Sequence, residues 1–428
     1  MKLWDKGFST DKKIDHFTVG SDRELDLLLA AYDVKASKAH AQMLGETALL
    51  SEQETEELLG ELDHILSTIE KGEFTIEDEF EDMHSKIEYL LIQKLGDTGK
   101  KIHMARSRND QVLVAIHLYL KQELEEIKTQ SRELFDLLLS LAEKHKDVLL
   151  PGYTHLQVAM PSSFGLWFSA YAESLIDDLY FVNAASKVVD QNPLGSAAGY
   201  GNSFPINRKH TTESLEFATL KYNVVAAQMS RGKAEKSTAF ALSAIASTLS
   251  KLAMDICLYM SQNFDFVSFP DELTTGSSIM PHKKNPDVFE LIRAKCNKLQ
   301  AVPNQLMMMT TNLPSGYHRD LQLTKEIIVP AIQELRSCLE MTVFTLKDIR
   351  VNQNILEDPK YDYLFSVDTL NELVLQGMPF RDAYKKMGTD IEAGNYQPKK
   401  DIDHTHEGSI GNLCLKEINA KMDQAMSG

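Results

Sequence analysis

The chain is poor in cysteine. It has four, at positions 257, 296, 338 and 414, and no two share CxxC spacing. That argues against a disulfide frame or a cysteine zinc site and predicts reduced thiols. No stretch approaches the roughly eighteen uninterrupted apolar residues of a membrane span, so no membrane partner is expected. The opening segment, MKLWDKGFSTDKKIDHF, lacks the apolar core of a signal peptide. A cytoplasmic protein is therefore expected. Positive charge is also in deficit, with 45 Lys and Arg against 62 Asp and Glu, a net charge of −17. Nucleic acid is then excluded as the main partner, because phosphate binding needs a basic face. A small anionic substrate is not excluded, since a few cations in a cleft outweigh the total. Alternating β-branched runs are scarce, which argues against a sheet domain.

Long helices fill the space left by these absences. Between Asp110 and Leu150 there is neither proline nor glycine. Leu113, Ile116, Leu120, Leu124, Ile127, Leu134, Leu138 and Leu141 recur at steps of three and four, broken once at Ser131. Residues 235–262 repeat the pattern through Leu242, Ile245, Leu249, Leu252, Ile256 and Tyr259. Continuous helix is also predicted over 162–190, 286–310 and 322–350. These segments predict an all-α protein with a central long-helix bundle. Apolar residues beyond one narrow stripe predict oligomerisation, although a large helical monomer fits the same pattern. Composition divides the chain into shorter helices over 1–104, long rods over 105–350 and shorter broken helices over 351–428. There is no internal repeat and no low-complexity tract.

Four segments carry candidate chemistry. The first is TTGSSIMPHKKNPD, Thr274 to Asp287. Gly276 offers a bend, Ser277 and Ser278 offer hydroxyls, and Lys283 and Lys284 offer ammonium groups. Asn285 suits a helix N-cap and Pro286 the first helical position. The segment predicts a mobile loop that binds an anionic substrate and stabilises developing negative charge; a plain surface loop with a helix cap fits as well. The second is MARSRNDQV, where Arg106 and Arg108 flank Ser107, and Asn109 and Asp110 can cap the following helix. A cap with solvated charge is the alternative. The third is PGYTHLQVAMPSS, which places Thr154, His155 and Gln157 on a predicted loop. A histidine there can exchange protons near neutral pH, or be structural. The fourth is GYHRDLQLTKE, which offers Tyr317, Asp320, Gln322 and Lys325. An ordinary helix start is the alternative. The glycine-rich stretch 194–208 lacks the strand and GK[ST] ending of a phosphate loop. His404 and His406 on one loop are weak grounds for a metal site, and no metal is expected.

Together these motifs resemble those of the fumarase/aspartase superfamily, and SRNDQ with Tyr-x-x-Asp-x-Gln-x-x-Lys-Glu resembles its argininosuccinate lyase branch. The likeness runs from Leu3-Trp4 to HEGSIGNL near the end. It implies a three-domain all-α fold and a homotetramer with a 20-helix core. It also implies active sites shared between subunits and cleavage of argininosuccinate to arginine and fumarate without a cofactor. Ser277 is then the base, Lys283 stabilises the dianionic intermediate, and Thr154 and His155 take part in proton transfer. Which of those two protonates the leaving nitrogen stays open. Substrate contacts are implied for Asp26, His84, Arg106, Ser107, Arg108, Asn109, Gln157, Asn285, Tyr317, Gln322 and Lys325. His84 comes from Glu-Asp-x-His, where a buried structural histidine is the alternative. The chain departs from the pattern at Asp22, where serine is frequent, and at His282, where glutamine is usual. It departs again at SRGK, 230–233, where Ser-Asp-Arg-Asp is frequent and no site role is assigned. A sibling lyase, a non-catalytic relative and a coiled-coil scaffold are the competing readings.

Overall fold

The computed structural model describes residues 11–428, so Leu3-Trp4 lies outside it. The chain forms two compact units, each assembled from three separated stretches. Of the described residues, one takes 11–127, Phe181–Ala244 and Lys298–Leu335; the other takes Lys128–Tyr180, Ile245–Asn297 and Arg336–Gly428.

Five long helices dominate the described residues: Arg108–Lys144, Lys233–Tyr259, Phe164–Val189, Asp22–Glu46 and Thr324–Leu346. The first has 37 residues, about 55 Å at 1.5 Å rise per residue. It stops short of the predicted Leu150. Pro151 disfavours helical backbone at the residue before it, and the chain has become a strand by Leu149. The eight apolar residues of its stripe are all buried, at most 5% exposed. Ser131, the break in that stripe, is buried too, and its hydroxyl has no hydrogen-bond partner among the described residues. In Lys233–Tyr259, Leu242, Ile245, Leu249, Leu252 and Ile256 are each no more than 1% exposed. This helix is long and apolar enough to cross a membrane, but half of its most apolar window is buried inside the protein, as a core helix requires.

One further helix expectation changes. The helix predicted over 286–310 is broken into Asp287–Leu299 and Val302–Met309, with Pro303 in the first turn of the second piece. By contrast, Thr324–Leu346 runs through Pro330 without ending.

The predicted loop around His155 is instead an antiparallel hairpin of Leu149–Thr154 and Gln157–Ser163. Thr154 pairs with Gln157, leaving His155 and Leu156 as a two-residue turn. Their φ values are +54° and +59°, the signature of a type I′ turn. Its ladder is irregular between Pro151 and Tyr153. Gly152 sits there because a Cβ would lie 2.7 Å from the Met160 carbonyl oxygen. Tyr153 anchors the base, with its ring 5.5 Å from that of Phe264 and its hydroxyl 3.3 Å from that of Tyr361.

In the first unit, Asp22–Glu46 packs on Glu52–Glu70 and Met83–Leu95. Asp22, Asp26, Asp33, Ser37 and His40 form a buried polar stripe along it, at steps of three, four and seven. Such a stripe needs partners in the interior, and the site supplies them.

Candidate active site

A cavity of about 440 Å³ lies within the first unit. Asp26, His84, Ser107, Arg108, Asn109, Tyr317, Gln322 and Lys325 line it, so four separated stretches converge there. The convergence has clear local causes. Asp110, at the start of the long helix, accepts the Ser107 N–H through Oδ1 at 2.8 Å. Its Oδ2 accepts the N–H groups of Gly195 (3.1 Å) and Ala197 (2.8 Å). One buried carboxylate thus clamps the Ser107–Asn109 turn onto the glycine-rich loop. Asp82 caps Met83–Leu95 by accepting the Ser85 N–H, and pairs with Arg108. Burial works to raise the Asp82 pKa, but Arg108, His84 and the Ser85 donors outweigh it and hold the carboxyl below its usual range.

His84 is buried against Asp33, with Nδ1 2.9 Å from Oδ1. Burial discourages its positive charge, yet Asp33 and then Asp82 prevail, and its pKa is raised. Neighbouring His103 goes the other way. Burial, Arg106 and Arg108 push it down to about 4, so it is neutral at physiological pH.

The remaining predicted contacts are less open to a ligand than the sequence suggests. Lys325 is 2% exposed, with Nζ 2.6 Å from Asp26 and 2.8 Å from Asp22. Asp26 is 1% exposed; its second oxygen accepts the Met83 N–H at 3.2 Å. The amide nitrogen of Gln322 donates to the carbonyls of Thr18 (2.9 Å) and Val19 (3.2 Å). Arg106 does not line the cavity. It is buried elsewhere and donates to the Ser37 hydroxyl at 2.9 Å. Sequence reasoning missed Asp22, Glu81, Asp82, His103, Arg231 and Arg319, which also line the cavity. The EDMH segment gave a signal for Glu81 and Asp82, GYHRDLQLTKE contains Arg319, and Asp22 and Arg231 stand where the chain departs from the family pattern.

Thr154, His155, Gln157, Ser277, Lys283 and Asn285 belong to the second unit. Thr154, His155 and Gln157 are exposed at the tip of the hairpin. The 274–287 loop has a neck where Thr275 and Asn285 exchange backbone hydrogen bonds, of 2.8 and 3.4 Å. Phe289, 5.3 Å from Phe269 and buried, roots it below the neck. The Pro286 carbonyl accepts the N–H of Glu290, so Pro286 and not Asn285 is the N-cap, and the helix begins at Asp287. Asn285 instead donates its side-chain amide to the Gly276 carbonyl at 3.3 Å, bracing the neck. Gly276 does not adopt positive φ and has open space at its Cβ position, so its special freedom is unused here. Above the neck Ser277 Oγ accepts the Met280 N–H at 3.2 Å. Lys284 is tied to Asp271, whereas Lys283 is exposed with no acidic partner among the described residues. The loop therefore presents two serine hydroxyls, Ser277 and Ser278, and the Lys283 ammonium group on a narrow stem.

Residues 7–301 match the protein family described as Lyase. The chain is 58% identical to the argininosuccinate lyase of Bacteroides thetaiotaomicron over 427 residues, covering 100% of this chain and 96% of that relative. It is 40% identical to the argininosuccinate lyase of Stenotrophomonas maltophilia, covering 99% of each. In fold it is similar to an EDDS lyase solved in complex with formate, with TM-score 0.77 and 20% identity, covering 98% of this chain and 90% of that one. A fumarate lyase:delta crystallin from Brucella melitensis gives TM-score 0.71 at 18% identity, covering 98% and 93%. The all-α fold read from helix periodicity is thus the fumarase/aspartase fold, and the chain belongs to the argininosuccinate lyase family of that superfamily.

Proposed function

We infer that this chain is a carbon–nitrogen lyase that cleaves argininosuccinate reversibly to L-arginine and fumarate, a step of L-arginine biosynthesis. The observation that carries this reading is the first-unit cavity. There Ser107, Arg108, Asn109, Tyr317 and Gln322 line one space in a chain 58% identical to a named argininosuccinate lyase. Hydroxyls, amides and a guanidinium suit a substrate that is polar throughout and carries three carboxylates.

The chemistry is β-elimination without a cofactor. The proton to be removed lies beside a carboxylate, and its loss builds a second negative charge there. Ser277 is the base and Lys283 stabilises the dianion. A serine works as a base only as an alkoxide, and the Met280 N–H already directed at its Oγ is the kind of donor that favours one. Thr154 and His155 serve proton transfer to the leaving nitrogen, and Gln157 and Asn285 contact the substrate. Residues 1–104, 105–350 and 351–428 are the three domains.

The protein works as a homotetramer whose active sites draw on neighbouring subunits. Leu156 and Ile279 are 76% and 83% exposed in the single chain, as are Phe240, Met254 and Phe344 in part on its helices. Apolar side chains so placed gain by burial against further copies. A cytoplasmic location suits four cysteines that form no disulfide among the described residues.

Fumarate release, followed by ultraviolet absorbance with argininosuccinate and adenylosuccinate as alternative substrates, tests the assignment. Turnover of argininosuccinate alone supports it. Turnover of adenylosuccinate alone moves the chain to a sibling activity, and turnover of neither removes the lyase reading.

A further inference from the structure

The loop between Thr274 and Asp287 carries two adjacent lysines whose surroundings differ. Lys283 is exposed and has no acidic partner among the described residues, whereas Lys284 donates to Oδ1 of Asp271. Asp271 opens the short turn Asp271–Leu273, on the root side of the neck formed by Thr275 and Asn285. Lys284 stands on the tip side of that neck, immediately before Asn285. The ion pair therefore spans the neck. Through its carbonyl, Asp271 also accepts the Thr274 N–H at 3.2 Å and the Thr274 hydroxyl at 3.1 Å. One residue thus holds the outgoing side of the stem by its main chain and the returning side by its carboxylate. The Thr275 hydroxyl, which donates to Asp287, adds a second tie between the two sides. Neighbouring Glu272 is exposed as well, but forms no ion pair among the described residues.

We propose that Asp271 is a positioning residue for the elimination: by tying Lys284 across the neck it fixes the direction in which the 274–287 loop carries Ser277 and Lys283. This role rests on the lyase reading above and adds to it the group that aims the loop. A stem free to swing holds its hydroxyl and ammonium groups at working distance for a smaller fraction of the time, and turnover falls with that fraction.

The electrostatics suit a tie that is always set but never rigid. Lys284 holds the Asp271 carboxyl below its usual range, and Arg350 adds to the effect, so Asp271 stays charged through neutral pH. Both partners are exposed, which keeps the pair weak. It biases the loop without locking it, as a loop that must admit substrate and release product requires.

The test measures kcat for argininosuccinate in full-length variants, with urea unfolding as the control for folding. Asp271→Asn should lower kcat by about two- to fivefold, the scale of one exposed ion pair, at an unchanged denaturant midpoint. Glu272→Gln removes the same charge one residue away and should leave kcat unchanged. Lys284→Met should match Asp271→Asn, and the two together should lose no more than either alone, since they break one contact. Exchanging the partners, Asp271→Lys with Lys284→Asp, restores the tie with its charges reversed and should return kcat above that of either single variant. Wild-type kcat in Asp271→Asn overturns the proposal, as does an equal loss in Glu272→Gln. Losses that add in the double variant, or an exchange that recovers nothing, overturn it too. A lowered denaturant midpoint that accompanies the loss would reveal a merely structural role. A wild type that releases no fumarate from argininosuccinate is a different result, and sinks the lyase reading itself.

Discussion

Arg231 Nε stands 2.9 Å from Glu235 Oε1, with the two side chains 3% and 0% exposed. Arg231 also donates to the Leu321 carbonyl at 2.9 Å, and Glu235 Oε2 accepts the Gly232 N–H at 2.7 Å. The pair thus ties the 230–235 turn to the start of the helix that carries Lys325. Removing one partner strands a charge in the interior, which costs about 3–5 kcal/mol. Arg231→Ala should lose stability of that size in urea unfolding. A loss below about 1 kcal/mol is the surface value and would show the pair to be unimportant.

Ser131 offers a test of opposite sign. Its buried hydroxyl interrupts an otherwise apolar stripe and has no partner among the described residues. An unsatisfied buried polar group costs about 1–3 kcal/mol. Ser131→Ala should therefore stabilise the protein by about 1 kcal/mol, raising the denaturant midpoint at unchanged slope. A lowered midpoint would show that the hydroxyl is satisfied.

His84 and Asp33 give a pH dependence with a definite sign. The folded-state pKa of His84 is raised, since Asp33 and Asp82 overcome the effect of burial. Its charge therefore contributes stability fully below the ordinary histidine value, about 6.5, and that contribution fades as pH rises through the raised value. Asp33→Asn should cost more stability at about pH 5.5 than at about pH 9. Equal losses at both would separate the pair's charge from its packing.

Shared sites predict rescue between defective subunits. Ser277→Ala and His155→Asn remove different parts of the proposed machinery and lie on different loops. Mixed tetramers of the two should recover part of the wild-type activity, because some sites draw both intact residues from different subunits. Verified mixed tetramers with no activity would show that each site is complete within one chain.

The helices were legible where packing obeys simple periodicity. Leu113 through Leu141 were marked by spacing alone, and all are buried. The hairpin was not, because His155-Leu156 lacks the Asn-Gly signal of a type I′ turn, and Pro151 and Pro161 read as loop breakers. Pro330 sits inside a helix while Pro303 opens one, a distinction set by tertiary packing rather than by the residue. Ser107, Asn109 and Tyr317 were marked by motif and do line the cavity. The partners of Lys325 come from a helix about 300 positions away, with Asp26 separated by 299 residues. No local pattern announces such a pairing. The role of Asp26 as a clamp on Met83–Leu95 likewise needed coordinates.

Steady-state fumarate and L-arginine formation from argininosuccinate, by wild type and by Ser277→Ala of equal thermal stability, tests the central claim most directly. The wild type should form the two products in equal amounts, and the variant should lose about 10²- to 10⁴-fold in kcat, the usual worth of a positioned base. A variant with wild-type kcat, or a wild type that forms neither product, would contradict the account.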